Sequence, residues 1–422
     1  SNAFEFALKY FKDSYCIHKE LCKENSHNKN EKRFLAVSCM SLFTMHMFMN
    51  NLSEAHKYCE ESVKYIKDLY ASDTNDSELK LLLAKYYSAS AEINQLMGFM
   101  EKSLKLQKKA HTLHQEVLNL NPNDEEIKCG MSISSDKLGD MHHLLGNIEE
   151  SFHYYEYANN LYKELYKSNS NNEEIKSGLA HSNLKIGHLY YKLSQFDVAL
   201  EYSNNCFVLS KQLYDKNPQN ESNLRLIANS NNILGDLYQS IGNNNKATVF
   251  YNNAVLLFEN LNKSKPKEKE TLQNLAATQI NLGDNLLLMN RMNAAINSYE
   301  KALTKYTQFL DLFPNEEIVK SGLALSYDRL GDINHMIGQS QKAIENYNEA
   351  FILYNQLHKS NPNEIRYKCS VAKLNSNFGQ IYLETGDQNK SIAFYTNAVS
   401  LHKELSNLNP NDYVIQEHLG IS

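Results

Sequence analysis

Residues 314–363 read PNEEIVKSGLALSYDRLGDINHMIGQSQKAIENYNEAFILYNQLHKSNPN, and two helices can be read directly from them. From Glu316 to Ile337 the segment is rich in helix formers, with apolar residues at Ile318, Leu323, Leu325 and Leu330. Gly338 stops that run, because glycine takes positive φ at no steric cost where a helix must end. A second helix is expected from Gln339, past Ala343, Ile344, Tyr347, Ala350, Phe351, Tyr354 and Leu357, the three-and-four spacing of a buried stripe. Asn361-Pro362-Asn363 closes it, since proline cannot continue a helix interior and asparagine suits a turn.

Stepping 48 residues in either direction recovers the same features. All six prolines, at 122, 218, 266, 314, 362 and 410, are separated by 48 or twice 48. Gly139, Gly187, Gly235, Gly283, Gly331 and Gly379 form one column, and Gly146, Ser194, Gly242, Asn290, Gly338 and Gly386 a second. A small-residue column runs through Ala36, Ala84, Ser132, Ala180, Ala228, Ala276, Ala324, Ala372 and Gly420. Register kept over that distance marks a tandem array in which each hairpin buries its face against its neighbours. Small residues recur where two helix backbones must approach closely.

The pattern Leu-Gly-x-x-Tyr, then Ala-x-x-x-Tyr, then Pro resembles the tetratricopeptide repeat; it stands here as Leu234-Gly235-x-x-Tyr238, Ala343-x-x-x-Tyr347 and Pro362. Two features depart from that family. Tryptophan is absent from the chain, and the period is 48 residues rather than 34. The extra residues divide evenly between the two helices, about two turns each, which keeps the buried stripes nearly in phase. The resemblance implies an all-α fold, a right-handed α-solenoid (superhelix) of stacked antiparallel helical hairpins. Projected along the chain, the register gives a tag remnant over 1–3, the second helix of a truncated repeat over 4–25, eight tandem repeats over 26–409 and the start of another over 410–422.

Composition narrows the function. A net charge of −6 gives no global attraction to nucleic acid or to an anionic membrane, and no apolar run is long enough for a membrane helix. Seven cysteines without a C-x-x-C spacing suggest neither a disulfide framework nor a zinc site, which favours a reducing, cytoplasmic setting. Nucleotide-binding, metalloprotease and nucleophile-elbow motifs are missing, so neither an enzyme nor a cofactor site is expected. His111 and His114 fall on the second-helix series and are expected at the surface.

In the family it resembles, the first helix of each hairpin lines a ligand groove. The matching columns here lie one residue after each glycine (Thr44, Glu92, Asp140, His188, Asp236, Asp284, Asp332 and Gln380) and three before it (Met40, Ser88, Asp136, Leu184, Asn232, Ile280, Asp328 and Ser376). Asp136, Asp140 and His143 recur as Asp328, Asp332 and His335, at i, i+4 and i+7 on one face. The candidate groove is therefore Asp136, Asp140, His143, His188, Asn232, Asp236, Asp284, Asp328, Asp332 and His335. It suits a basic or amide-rich peptide if the carboxylates are open, or serves helix packing if they are bonded to neighbours. Asp140, His143 and His188 together offer a chelating alternative. In the first repeat Phe43 replaces the glycine and is expected to push its hairpin apart, beside a cluster of Met40, Met45, Met47 and Met49. Two functions follow: a scaffold holding a peptide segment of a partner protein, or a sensor segment of a larger signalling protein such as a kinase or transcription regulator.

Overall fold

The computed structural model describes residues 2–25 and 27–408, and these are helical throughout apart from short turns. They fall into two compact units, Ser1–Ser194 and Gln195–Ser422. The first unit holds α1 (Asn2–Glu24), α2 (Lys29–Phe48), α3 (Leu52–Ser72), α4 (Ser77–Leu96), α5 (Met100–Leu120), α6 (Glu125–Leu144), α7 (Ile148–Ser168) and α8 (Glu173–Lys192). The second holds α9 (Phe196–Lys216), α10 (Glu221–Ser240), α11 (Asn244–Ser264), α12 (Lys269–Leu288), α13 (Met292–Leu312), α14 (Glu317–Met336), α15 (Ser340–Ser360), α16 (Ile365–Glu384) and α17 (Gln388–Leu408). Within each unit every helix packs on its neighbours in sequence, and the even-numbered helix of a hairpin meets the next odd-numbered one most extensively. The expected segment 410–422, with Gly420, lies outside the described residues, as does Ser1.

Local chemistry sets the helix ends. Asp76, Asp124, Asn172 and Asn220 cap α4, α6, α8 and α10, each accepting hydrogen bonds from backbone N–H groups in the first turn. Between the helices of a hairpin the chain turns at a left-handed residue. Gly146, Gly242 and Gly338 take φ of 76 to 80°, and Ser194 and Asn290 take the same position at 58° and 56°. The turn column of the sequence is thus a conformational column.

Packing explains the other glycines. A Cβ added at Gly331 would lie 2.4 Å from the ring of Tyr347, and one at Gly235 2.6 Å from Tyr251. The tyrosine ring occupies the space a side chain would take, so the two helices of a hairpin close on it. The same exchange operates between hairpins, where Gly178 faces Tyr162 and Gly322 faces Tyr306. The first repeat inverts it: Phe43 takes the glycine position and Cys59 the tyrosine column, and both are buried with Leu42, Ala55 and Ile93. The large residue has changed sides, so α2 and α3 pack as extensively as the other hairpins rather than being forced apart. His111 and His114 are half-buried rather than at the surface, because their helix face turns towards α6, where His111 Nε2 lies 3.2 Å from Ser135 Oγ.

Gly331→Ala should therefore lower the urea midpoint by an amount equivalent to roughly 1–3 kcal/mol, the cost of overpacking against a buried ring. Gly283→Ala should behave alike, its Cβ falling 2.5 Å from Tyr299. Unchanged midpoints in both variants would contradict the packing role of this column.

Candidate functional site: the first-helix face

The carboxylates predicted to form a groove are joined first to the tyrosines that pack on the glycines. The tyrosine hydroxyl donates to the carboxylate just after the glycine in Tyr155–Asp140 (2.6 Å), Tyr251–Asp236 (2.7 Å), Tyr299–Asp284 (2.7 Å) and Tyr347–Asp332 (2.8 Å). Each pair is 15 residues apart, so one hairpin supplies both partners. In α16 and α17 Gln380 takes the acceptor position, 2.8 Å from the Tyr395 hydroxyl.

The remaining carboxylate valence is met from the next hairpin. Lys185 reaches Asp140 at 2.9 Å, Asn281 donates to Asp236 at 3.0 Å, Arg329 pairs with Asp284 at 2.9 Å and Asn377 donates to Asp332 at 3.1 Å. All four links span 45 residues. The donors form a column two residues before each glycine, three residues and so nearly one turn before the aspartate column of their own helix. Groove reasoning centred on acidic residues passed over this column, although the same 48-residue arithmetic contains it as Lys137, Lys185, Asn281, Arg329 and Asn377.

Asp136 and Asp328 lie deeper than a groove lining, at 8% and 4% exposure. Lys373 pairs with Asp328 at 2.8 Å and with Asp332 at 2.9 Å. Asp136 is served less well, with Lys185 3.9 Å away and no hydrogen bond to Oδ1. Burial pushes its carboxyl up to about 7, partly opposed by the Lys185 charge and reinforced by Asp140. Asn232 accepts from Thr278 at 3.0 Å, and His335 lies 2.8 Å from Glu384. His143 and His188 approach with ring centroids 6.2 Å apart, and burial lowers the basicity of both, that of His188 to about 4. The chelating alternative does not assemble: Asp140 is held by Tyr155 and Lys185, and His143 Nε2 faces the Lys192 ammonium at 3.3 Å. Among the described residues no group of three His, Cys, Asp or Glu is placed to hold a metal ion. Of the ten candidates, then, four gather around Lys185 and Lys192 in the first unit, and six run along the second unit bonded to successive helices.

Open space on this face lies further towards the N-terminus. A cavity of about 980 Å³ is bounded by α2, α4, α6 and the start of α8. Met40, Thr44, Ser88 and Glu92 of the predicted columns line it, together with Phe43, Leu81, Lys85, Ile133 and Lys137. Ile133 keeps 40% of its surface exposed there. Glu126 and Glu174, both exposed, stand at the helix starts that close one end. A smaller space of about 290 Å³ beside it brings Asp140 together with Ser88, Glu92 and Lys137. The methionine cluster divides here: Met40 faces the cavity, and Met45 is buried.

Two outcomes follow from the electrostatics. Asp136 is protonated in the fold at pH values where it would ionise in the unfolded chain. Its contribution is therefore full below its ordinary value near 3.8 and is lost as pH rises through about 7. Asp136→Asn should gain melting temperature relative to the parent as pH is raised from 4 to 8, and a pH-independent difference would refute this. Lys373→Met should cost about 1–3 kcal/mol in chemical denaturation, because it strands the buried Asp328 carboxylate. A melting temperature equal to the parent's at pH 8 would show that this pair is not coupled to folding.

Among the described residues no helix is long and apolar enough to cross a membrane, and all seven cysteines are free thiols. The family model for the tetratricopeptide repeat matches residues 276–304 and 372–404. No curated protein matches the chain. Among solved structures, the apo form of RapI is similar over 96% of this chain and 97% of its own, with 15% identity and a TM-score of 0.55. The apo form of the quorum sensor NprR from B. thuringiensis is similar over 95% of this chain and 99% of its own, with 16% identity and a TM-score of 0.51. At such identities the likeness carries the fold, and it agrees with the hairpins described above. Two stretches thus match the tetratricopeptide-repeat model, one from α12 into α13 and one from α16 into α17, and within each unit the same helical hairpin recurs.

Proposed function

We propose that the chain is a non-catalytic scaffold that holds a peptide segment of a partner protein against its first-helix face. The observation that supports this reading is the cavity of about 980 Å³ between α2, α4 and α6, where exposed apolar surface adjoins uncommitted charge. Ile133, Leu81 and Met40 offer an anchor for one or two apolar side chains, and burying them from water gives about 25 cal/mol per Å². Glu126 and Glu174 favour a basic residue on the same peptide, while Ser88 and Thr44 offer hydroxyls to its backbone. The candidate aspartates Asp140, Asp236, Asp284 and Asp332 enter as the hydrogen-bonded wall that keeps the first helices in register. Their charge is largely answered from the next hairpin, so the basic preference is assigned to the two glutamates.

NprR is named a quorum sensor. A sensing role, in which the bound peptide alters attached machinery, is the second reading, and it uses the same cavity. Fluorescence anisotropy with labelled octapeptides that pair leucine or isoleucine with arginine tests the anchor directly. The chain should bind these in preference to versions carrying glutamate for arginine. Glu126→Gln/Glu174→Gln should weaken binding and flatten its salt dependence, and Ile133→Glu should abolish it while the circular dichroism stays helical. Equal affinity for the arginine and glutamate peptides, or indifference to Ile133→Glu, would overturn the reading.

A further inference from the structure

The second-helix side of the first unit carries a separate feature. Between α3 and α5 lies an apolar cavity of about 840 Å³, floored by Leu83 and Tyr87 of α4 and walled by Tyr70 and Leu104. Its rim holds four lysines: Lys67 on the α3 wall, and Lys105, Lys108 and Lys109 on the α5 wall. All four are exposed. Lys102, one turn away, is paired with Glu60 at 3.2 Å, whereas these four have no carboxylate at ion-pair distance. Lys109 Nζ instead lies 5.6 Å from the centroid of the Tyr87 ring. Glu101 is the one carboxylate on the rim.

The repeats provide an internal control. At the positions of Lys105, Lys108 and Lys109, α7 has His153, Glu156 and Tyr157, α11 has Val249, Asn252 and Asn253, and α15 has Glu345, Asn348 and Glu349. The hairpin fold therefore does not require lysine there. Ala71 also lines the space, where the following repeats carry the longer Asn119, Lys167 and Asp215. A small residue opens the groove, and α5 lines one wall with three lysines, where α1 carries two at these positions (Lys9 and Lys12) and α3 and α13 one each (Lys57 and Lys301).

We propose that this groove docks an acidic amphipathic helix of a partner protein. Its apolar stripe would lie on Leu83, Tyr87 and Leu104, and carboxylates on its two flanks would meet Lys67 on one wall and Lys105 and Lys108 on the other. The lining of α5 runs from Glu101 to Leu113, which matches about three turns of a docked helix. The groove is open along its length rather than enclosed. A lone acyl chain would remain half in water, whereas a helix covers the opening with its own polar back. The proposal does not rest on the first-helix cavity, with which this groove shares no lining residue.

The probe is an acetylated and amidated peptide of about four turns, with leucine at i, i+4, i+7 and i+11 and glutamate on both flanks, followed by fluorescence anisotropy. The full chain should bind it, and should not bind the same pattern built with lysine. Lys105→Glu/Lys108→Glu should weaken binding about tenfold or more, and the attraction should fall with salt. Ala71→Phe should weaken it without any change of charge. Both variants alter exposed residues, and a helical spectrum with the parent's melting temperature checks that they fold. Glu126→Gln/Glu174→Gln should leave this binding unchanged, which separates the two surfaces. No binding of the acidic peptide, equal binding of the lysine peptide, or indifference to both groove variants overturns the proposal. So does saturable binding of sodium laurate that the groove variants abolish while the acidic peptide fails to bind.

Discussion

A tyrosine ring set where a glycine has no side chain, with its hydroxyl on the next residue's carboxylate, is the contact on which the rest of this structure depends. Glycine lets the ring lie against the first helix, and the ring fixes how closely the second can approach. The hydroxyl then needs an acceptor, and the aspartate after the glycine is the residue within reach, as at Tyr299 and Asp284. A carboxylate at that depth needs more than one donor. The next hairpin provides it through Arg329. One steric exchange thus leads, by requirements of hydrogen bonding, to the link between successive hairpins.

Most of this organisation was legible because it repeats. Pro314 and Pro362, Gly331 and Gly338, and Ala324 each announce a role that recurs at a fixed spacing, and the helices begin and end where those residues require. The left-handed turns at Ser194 and Asn290 were visible only as members of a column otherwise made of glycine. What single columns could not show was pairing. Asp284 reads as an open acid until Arg329, 45 residues later, is placed beside it. Phe43 reads as a wedge until Cys59 is seen to have given up the opposing volume. Both are statements about two positions at once, and both are compensations that a one-column reading misses.

The consequence for function is a division of labour along the chain. Where the aspartate column is complete, as in α10, α12 and α14, its charge serves the stacking of helices. In the first repeats the columns hold Met40, Thr44, Ser88 and Glu92 instead, the lattice is thin, and a cavity opens. Departure from the repeat consensus, rather than conformity to it, marks the surfaces for which we propose a binding role. The lysines of α5 follow it in part, since no other second helix carries lysine at all three of these positions.

A double-mutant cycle at Asp284 and Tyr299 tests the central contact most directly. Asp284→Asn, Tyr299→Phe and the double variant would each be unfolded in urea and compared with the parent. A hydroxyl donating to a partly buried carboxylate predicts a coupling of about 1–3 kcal/mol, with the double variant less destabilised than the sum of the singles. Additivity within about 0.3 kcal/mol would mean that the two side chains act independently, and would contradict the account.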